Sequence, residues 1–245
     1  MSARIEFDLR RIPQLSRRPR RPAIAFWSLG ALALMFALSA CGDSSDGDES
    51  NRVNGSIHVA AGKPPGPVNT VNGSIHIDEK AAVTSAATVN GGVHLGAHAT
   101  AVSLTTVNGS ITLGDGAQVS TTATSVNGEL ILGNGAEVSG ALSNVNGKIA
   151  LTAAHVAGGI ATVSGNIDIT GTSRVEGGIL VRKPTGELLH FGNDVPRIVI
   201  GPGAIVQGDL KFERKVELYV SDKATIGSVS GATPIAFTGD TPPHS

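Results

Sequence analysis

Aliphatic residues in this chain fall on a six-residue ruler. Val71, Ile77, Val83 and Val89 are spaced by six, as are Val107, Leu113 and Val119, and later Val163, Ile169, Val175 and Val181. A second apolar set sits two places before many of these: Ile75, Ala81 and Ala87; Ile111, Ala117 and Ala123; Ile167 and Ile179. Two inward positions two apart make a short strand, because alternate side chains share a face. The gap of four between pairs makes a corner. Three strands and three corners close one turn. The pattern therefore predicts an all-β fold, a single-stranded parallel β-helix (β-solenoid) of about nine triangular coils, each 18–19 residues long.

The same turn is visible as a written repeat. VNGSIHV at Val53 returns as VNGSIHI at Val71, VNGGVHL at Val89, VNGSITL at Val107, VNGELIL at Val126, VNGKIAL at Val145 and VSGNIDI at Val163. The starts are 18, 18, 18, 19, 19 and 18 residues apart, a period that signals a stacked-repeat architecture. The Gly- and Thr-rich units carry no 3.6-residue period, so helices are excluded. Asn-Gly between apolar runs can mark a hairpin, but hairpins would not recur in one phase every turn. The valine of each unit is expected to point inward. The Asn-Gly pair then falls at a corner, where Gly accepts a positive φ and Asn tolerates the left-handed region. Stacking places Asn54, Asn72, Asn90, Asn108, Asn127 and Asn146 in one column, ~4.8 Å apart, able to form an amide ladder. One turn cannot stabilise itself; stability is cooperative along the array.

Irregularities set the boundaries. Lys63-Pro64-Pro65-Gly66-Pro67 in the first coil belongs at the edge of the array, because proline cannot donate to a ladder. Arg182 to Pro196 breaks the ruler and reads as a loop leaving the solenoid. The pattern resumes at Arg197 for about two coils, with Ile200, Ala204, Val206, Leu210 and Phe212. The organisation expected is a leader over 1–40, a tether over 41–52, a β-helix over 53–231 with an inserted loop over 182–196, and a terminal tail or cap over 232–245.

The leader has Arg17, Arg18, Arg20 and Arg21 ahead of an uncharged apolar run from Pro22 to Ala40, the layout of a secretory signal peptide. A transmembrane anchor is the other reading of a run this long. Leu38-Ser39-Ala40-Cys41 resembles the lipobox of bacterial lipoproteins. That resemblance implies acylation of Cys41, which becomes the mature N-terminus and anchors the chain in the envelope membrane. By resemblance to enterobacterial lipoproteins, Gly42 after the cysteine implies the outer membrane. Cys41 is the only cysteine, so no disulfide forms within the chain. Gly42 to Asn51 is acidic and small-residue rich, a disordered tether. The leader holds seven of the 19 basic residues and two of the 20 acidic ones; the remaining twelve and eighteen leave the mature chain near −6. Nucleic acid is not an expected partner, because no basic stripe is present.

Three later units, Leu113-Gly-Asp-Gly-Ala-Gln-Val119, Leu132-Gly-Asn-Gly-Ala-Glu-Val138 and Ile200-Gly-Pro-Gly-Ala-Ile-Val-Gln-Gly-Asp-Leu210, resemble bactofilin sequences. The Val-Asn-Gly-Ser-Ile units are similar to an adhesin-labelled bacterial β-solenoid family of unknown function. Together the resemblances cover Val53 to about Ser230. The bactofilin resemblance implies a right-handed β-helix that assembles end to end into filaments without nucleotide. Bactofilins are mostly cytoplasmic, whereas this chain carries an export and lipidation signal. The hexads also resemble left-handed acyltransferase β-helices, and spacing alone does not distinguish the hands.

Candidate chemistry is sparse. His58, His76 and His94 share one outward phase, 18 residues apart, so three stacked imidazoles form a candidate metal- or ligand-binding column. Asp78 is near in sequence. His155 and His190 are candidate bases for an acyltransferase-like enzyme, but no nucleophile, paired carboxylates or phosphate loop accompanies them. Asp168, Asp209 and Asp222 fall in different phases and read as surface residues. The expectation is a non-enzymatic envelope lipoprotein without a cofactor, a structural or interaction scaffold that is adhesin-like or self-associating. The partner, protein or polysaccharide, is not written in the sequence.

Overall fold

The computed structural model describes residues 50–184 and 195–242. The leader, Cys41, most of the tether and His190 lie outside them. The described residues form a parallel β-solenoid without a helix. One face is a ten-stranded parallel sheet running from Ile57–Val59 through Ile75–Ile77 and Val93–Leu95 to Pro234–Phe237. Ile57, Ile75, Val93, Ile111, Leu130, Ile149, Ile167, Ile198 and Leu218 stand above one another in consecutive rungs. All nine are buried at 2% exposure or less. Parallel strands need crossovers of a dozen or more residues; here the rest of each coil is that crossover.

The solenoid has one rung more than the nine expected. Pro234–Phe237 pairs with Glu217–Ser221, so the segment expected as a tail supplies the last strand. Pro234 is tolerated there because, among the described residues, no further strand needs its missing N–H.

The other two faces belong to a single sixteen-stranded sheet. In the early turns one nine-residue strand, Ala82–Asn90 and then Thr100–Asn108, covers both faces. From the next turn that strand divides into Gln118–Val119 and Ala123–Asn127, and then into Glu137–Val138 and Leu142–Asn146. The cause is the nineteenth residue. Ala101 and Leu104 pair with Val119 and Ala123, so the later turn has one extra residue between them, and it opens a corner.

This uneven corner corrects the expected phase of the repeat. The valines of the Val-Asn-Gly units do not point inward. Val53 and Val71 are 61% and 38% exposed, and Val89, Val107, Val126 and Val145 are half-buried on the outer surface. Ala87 is likewise outside, and Ala86 takes its place. From Val71 onward the residue before each valine faces the core instead: Thr70, Thr88, Thr106, Ser125, Asn144 and Thr162, all buried. The step from Thr88 to the next inward residue, Val93, is five positions rather than four, so a uniform six-residue ruler is out of step by one on this face.

The insertion leaves the solenoid at the corner that carries Asn-Gly in earlier turns. Arg182 donates its N–H to Thr162 O (2.8 Å), and the ladder resumes at Arg197, whose N–H reaches Asn166 Oδ1 across 31 positions of sequence. Residues 185–194 lie outside the described residues. Beyond them, Arg214 reaches back to Val163 O (3.0 Å) and Ser164 Oγ (2.9 Å). A small second core forms on the outer side of the last rungs from Val199, Tyr219 and Phe237, with the Arg197 guanidinium 4.9 Å from the Tyr219 ring centre, a cation–π contact.

Candidate functional site

The Asn-Gly corner is the most regular place on the molecule, and three ladders meet there. The first is the amide column. Asn72 Nδ2 donates to Asn54 Oδ1 (3.0 Å), Asn90 to Asn72 (2.8 Å), Asn108 to Asn90 (3.0 Å) and Asn127 to Asn108 (3.1 Å). Asn146 stands in register with Asn127. A shorter column runs beside it, Asn69 Nδ2 to Asn51 Oδ1 at 2.9 Å.

The second ladder is glycine. Sequence reasoning assigned these glycines to positive φ, but only Gly55 and Gly147 of the seven have it. The reason for glycine is contact between turns. A Cβ on Gly73 would lie 2.1 Å from Gly55 O, and on Gly91, Gly109 or Gly128 it would lie 2.0 Å from the glycine carbonyl one turn below.

The third ladder is internal and was missed. Thr70 Oγ1 donates to Gly55 O, Thr88 to Gly73 O (2.9 Å), Thr106 to Gly91 O (2.8 Å), Ser125 to Gly109 O, and Asn144 Nδ2 to Gly128 O (2.8 Å). Each caps a carbonyl that the strand ladders do not reach. The signal was in the sequence: five of the Val-Asn-Gly units are preceded by Thr, Ser or Asn, and Thr162 precedes the Val-Ser-Gly variant. Asn144 is the misfit, because its Oδ1 is buried without a hydrogen-bond partner. A buried unsatisfied acceptor costs about 1–3 kcal/mol. Asn144→Thr restores the residue type of the column and is expected to stabilise the fold by about 1 kcal/mol, seen as a higher urea midpoint with an unchanged denaturant slope.

The histidine column lies on the ten-stranded face. His58, His76 and His94 are in register on consecutive rungs, and the His76 and His94 ring centres are 6.1 Å apart, tilted by 47°. His58 Nε2 pairs instead with Asp78 Oδ1 at 2.5 Å. Together with Glu79, Gly96 and Ala97 these residues line an open depression of about 350 Å³. Lys80 donates a hydrogen bond to Glu79 and holds its carboxyl below the usual carboxylate range. Among the described residues no three His, Cys, Asp or Glu side chains converge on a point that could hold a metal ion. Strand stacking keeps the three imidazoles side by side, each on its own rung, so the structure does not gather them into the ligand set that their spacing suggested.

His155 sits between two carboxylates, with Nε2 3.3 Å from Glu176 Oε1 and Nδ1 3.6 Å from Glu137 Oε1. The Arg174 hydrogen bond, and then that of His155, hold Glu176 below its ordinary value. This is an exposed ion cluster whose carboxylates both engage the imidazole, an arrangement of surface pairing. Asp168 is likewise paired, 2.7 Å from Lys148 Nζ.

The chain matches no protein-family model, no curated protein and no solved structure.

Proposed function

We propose that this chain is a non-enzymatic scaffold of the bacterial cell envelope, exported and held at the outer membrane by a lipid on Cys41. The β-solenoid is its working part: a stiff adhesin-like surface for interaction, able to extend by end-to-end assembly as bactofilins do. The observation that carries this reading is the unbroken ladder of ten in-register rungs, whose terminal strands present an edge among the described residues. Among the described residues, Ile57–Val59 is paired on one side only, and so are Thr225–Ile226, Val229–Ser230 and Pro234–Phe237. Such edges are templates for another strand. The bactofilin and lipobox resemblances support the same reading. The uncharged apolar run before Cys41 and the acidic tether after it suit a protein held at a distance from a membrane.

Two measurements test it. Mass spectrometry of the chain expressed in a bacterium is expected to find cleavage before Cys41 and a lipid-modified N-terminal cysteine, both lost in Cys41→Ser. Electron microscopy of the purified protein is expected to show filaments whose length grows with concentration. An uncleaved, unmodified leader would remove the envelope assignment. Particles that stay single at every concentration would remove end-to-end assembly.

A further inference from the structure

Seven Asn-Gly pairs stand in this chain, at Asn54, Asn72, Asn90, Asn108, Asn127, Asn134 and Asn146. In such a pair the asparagine side chain can close on its own backbone, because glycine has no Cβ to block the approach of its nitrogen to the carboxamide carbon. All seven asparagines are exposed, so exposure does not rank them. Hydrogen bonding does.

Ring closure needs two free groups, the glycine nitrogen that attacks and the carboxamide that is attacked. Gly55, Gly73, Gly91, Gly109 and Gly128 donate their N–H to the asparagine carbonyl one turn above, at 2.8–3.1 Å. The carboxamides from Asn54 through Asn127 are tied to one another as well. Gly135, outside the column, donates to Ala153 O at 2.9 Å. The pair at Asn146 has neither restraint: among the described residues no hydrogen bond holds the Gly147 N–H or the Asn146 carboxamide. The cause is the turn above, where Val-Ser-Gly replaces Val-Asn-Gly. There the paired register stops at Ser143 and Ala161, and the chain closes a local turn in which Gly165 N–H donates to Thr162 Oγ1 at 2.9 Å. Ser164 N–H reaches down to Val145 O, and no asparagine stands over Asn146.

We infer that Asn146-Gly147 is a site of spontaneous deamidation in the folded protein, and that stacking of the turns protects the other six pairs. The Gly147 N–H gives its proton to solvent, the nitrogen forms a bond to Asn146 Cγ, and the bond from Cγ to Nδ2 breaks. Nδ2 leaves as ammonia, taking one proton back from solvent. Water then opens the cyclic imide at either carbonyl and leaves aspartate or isoaspartate at 146. At the protected pairs the glycine nitrogen must first give up its bond to the next turn, which slows closure by about tenfold. The site lies on the side of the solenoid, away from Cys41 and from the terminal strands, so it stands or falls apart from lipidation and end-to-end assembly.

Peptide mapping by mass spectrometry, with separation of aspartyl and isoaspartyl products, tests it on the full chain aged in mildly alkaline buffer with detergent. Asn146 is expected to convert about tenfold faster than each of the other six, with isoaspartate among its products. In urea strong enough to unfold the chain, the seven are expected to convert at similar rates. An Asn146 that stays intact in the folded chain overturns the assignment, as does another pair that keeps pace with it. The same lead for Asn146 in urea also overturns it, since local sequence and not the stacking would then set the rate. Aspartate without isoaspartate overturns the cyclic route.

Discussion

Gly91→Ala is expected to be among the most damaging single-methyl changes this protein can suffer, lowering its stability by about 3 kcal/mol or more. The added Cβ would lie 2.0 Å from Gly73 O and 2.5 Å from Gly73 C, both backbone atoms that no rotamer change can move. Relief requires one whole turn to lift from the next, and Gly109 is stacked on Gly91 in the same way, so the displacement is handed upward. The backbone conformation of Gly91 is not the obstacle, because its φ is outside the left-handed region. Gly66→Ala supplies the contrast. Nothing lies within 4 Å of a Cβ there and φ is not positive. That change is expected to be neutral or stabilising by about 0.4–1 kcal/mol through the unfolded chain. Urea unfolding of both variants checks the pair. Equal, small effects would mean that the turns are free to slide past one another at this corner.

The glycine column shows what could and could not be read from the letters. The period was legible because stacking forces equivalent residues to the same height: every turn that begins Val-Asn-Gly pairs with the next, and the predicted amide column forms bonds from Asn54 through Asn127. The shared height of His58, His76 and His94 was legible for the same reason. What a column of letters does not contain is the shape of the corners. A three-residue corner between Val83 and Ala86, and a five-residue corner between Thr88 and Val93, average to the four that the ruler assumed. The error stays local to one face and turns its valines from core to surface. The glycines were explained by φ because a single turn was considered; their contact exists only between turns. The last rung was hidden by Pro234, which breaks an ordinary strand but not a terminal one. The ligand potential of the histidines depended on side-chain direction, which a column of letters does not contain: the His76 and His94 rings are tilted by 47° and His58 pairs with Asp78.

Thr106→Val is expected to cost about 1–3 kcal/mol although it preserves size and shape. Thr106 is wholly buried, and its Oγ1 donates to Gly91 O at 2.8 Å. Strand bonds pass this carbonyl by, because the chain turns outward at Asn90 and its own amide bonds climb to the next rung, Gly91 N–H to Asn108 O. Valine would leave the carbonyl facing an apolar interior with no donor. Thr106→Ser keeps the donor and loses one methyl, so it is expected to cost less than valine despite being the smaller residue. That inversion separates a hydrogen-bond role from a packing role, since a purely apolar site would rank valine above serine. Chemical denaturation of the two variants gives the order directly. The same logic fixes the sign for Asn144→Thr, where an unpaired acceptor is removed and not created. Serine below valine at position 106, or a destabilised Asn144→Thr, would show that the inner hydroxyls fill space and that the glycine carbonyls find water instead. With the order reversed in that way, the Thr, Ser or Asn before five of the Val-Asn-Gly units would no longer be part of what stacks one turn on the next.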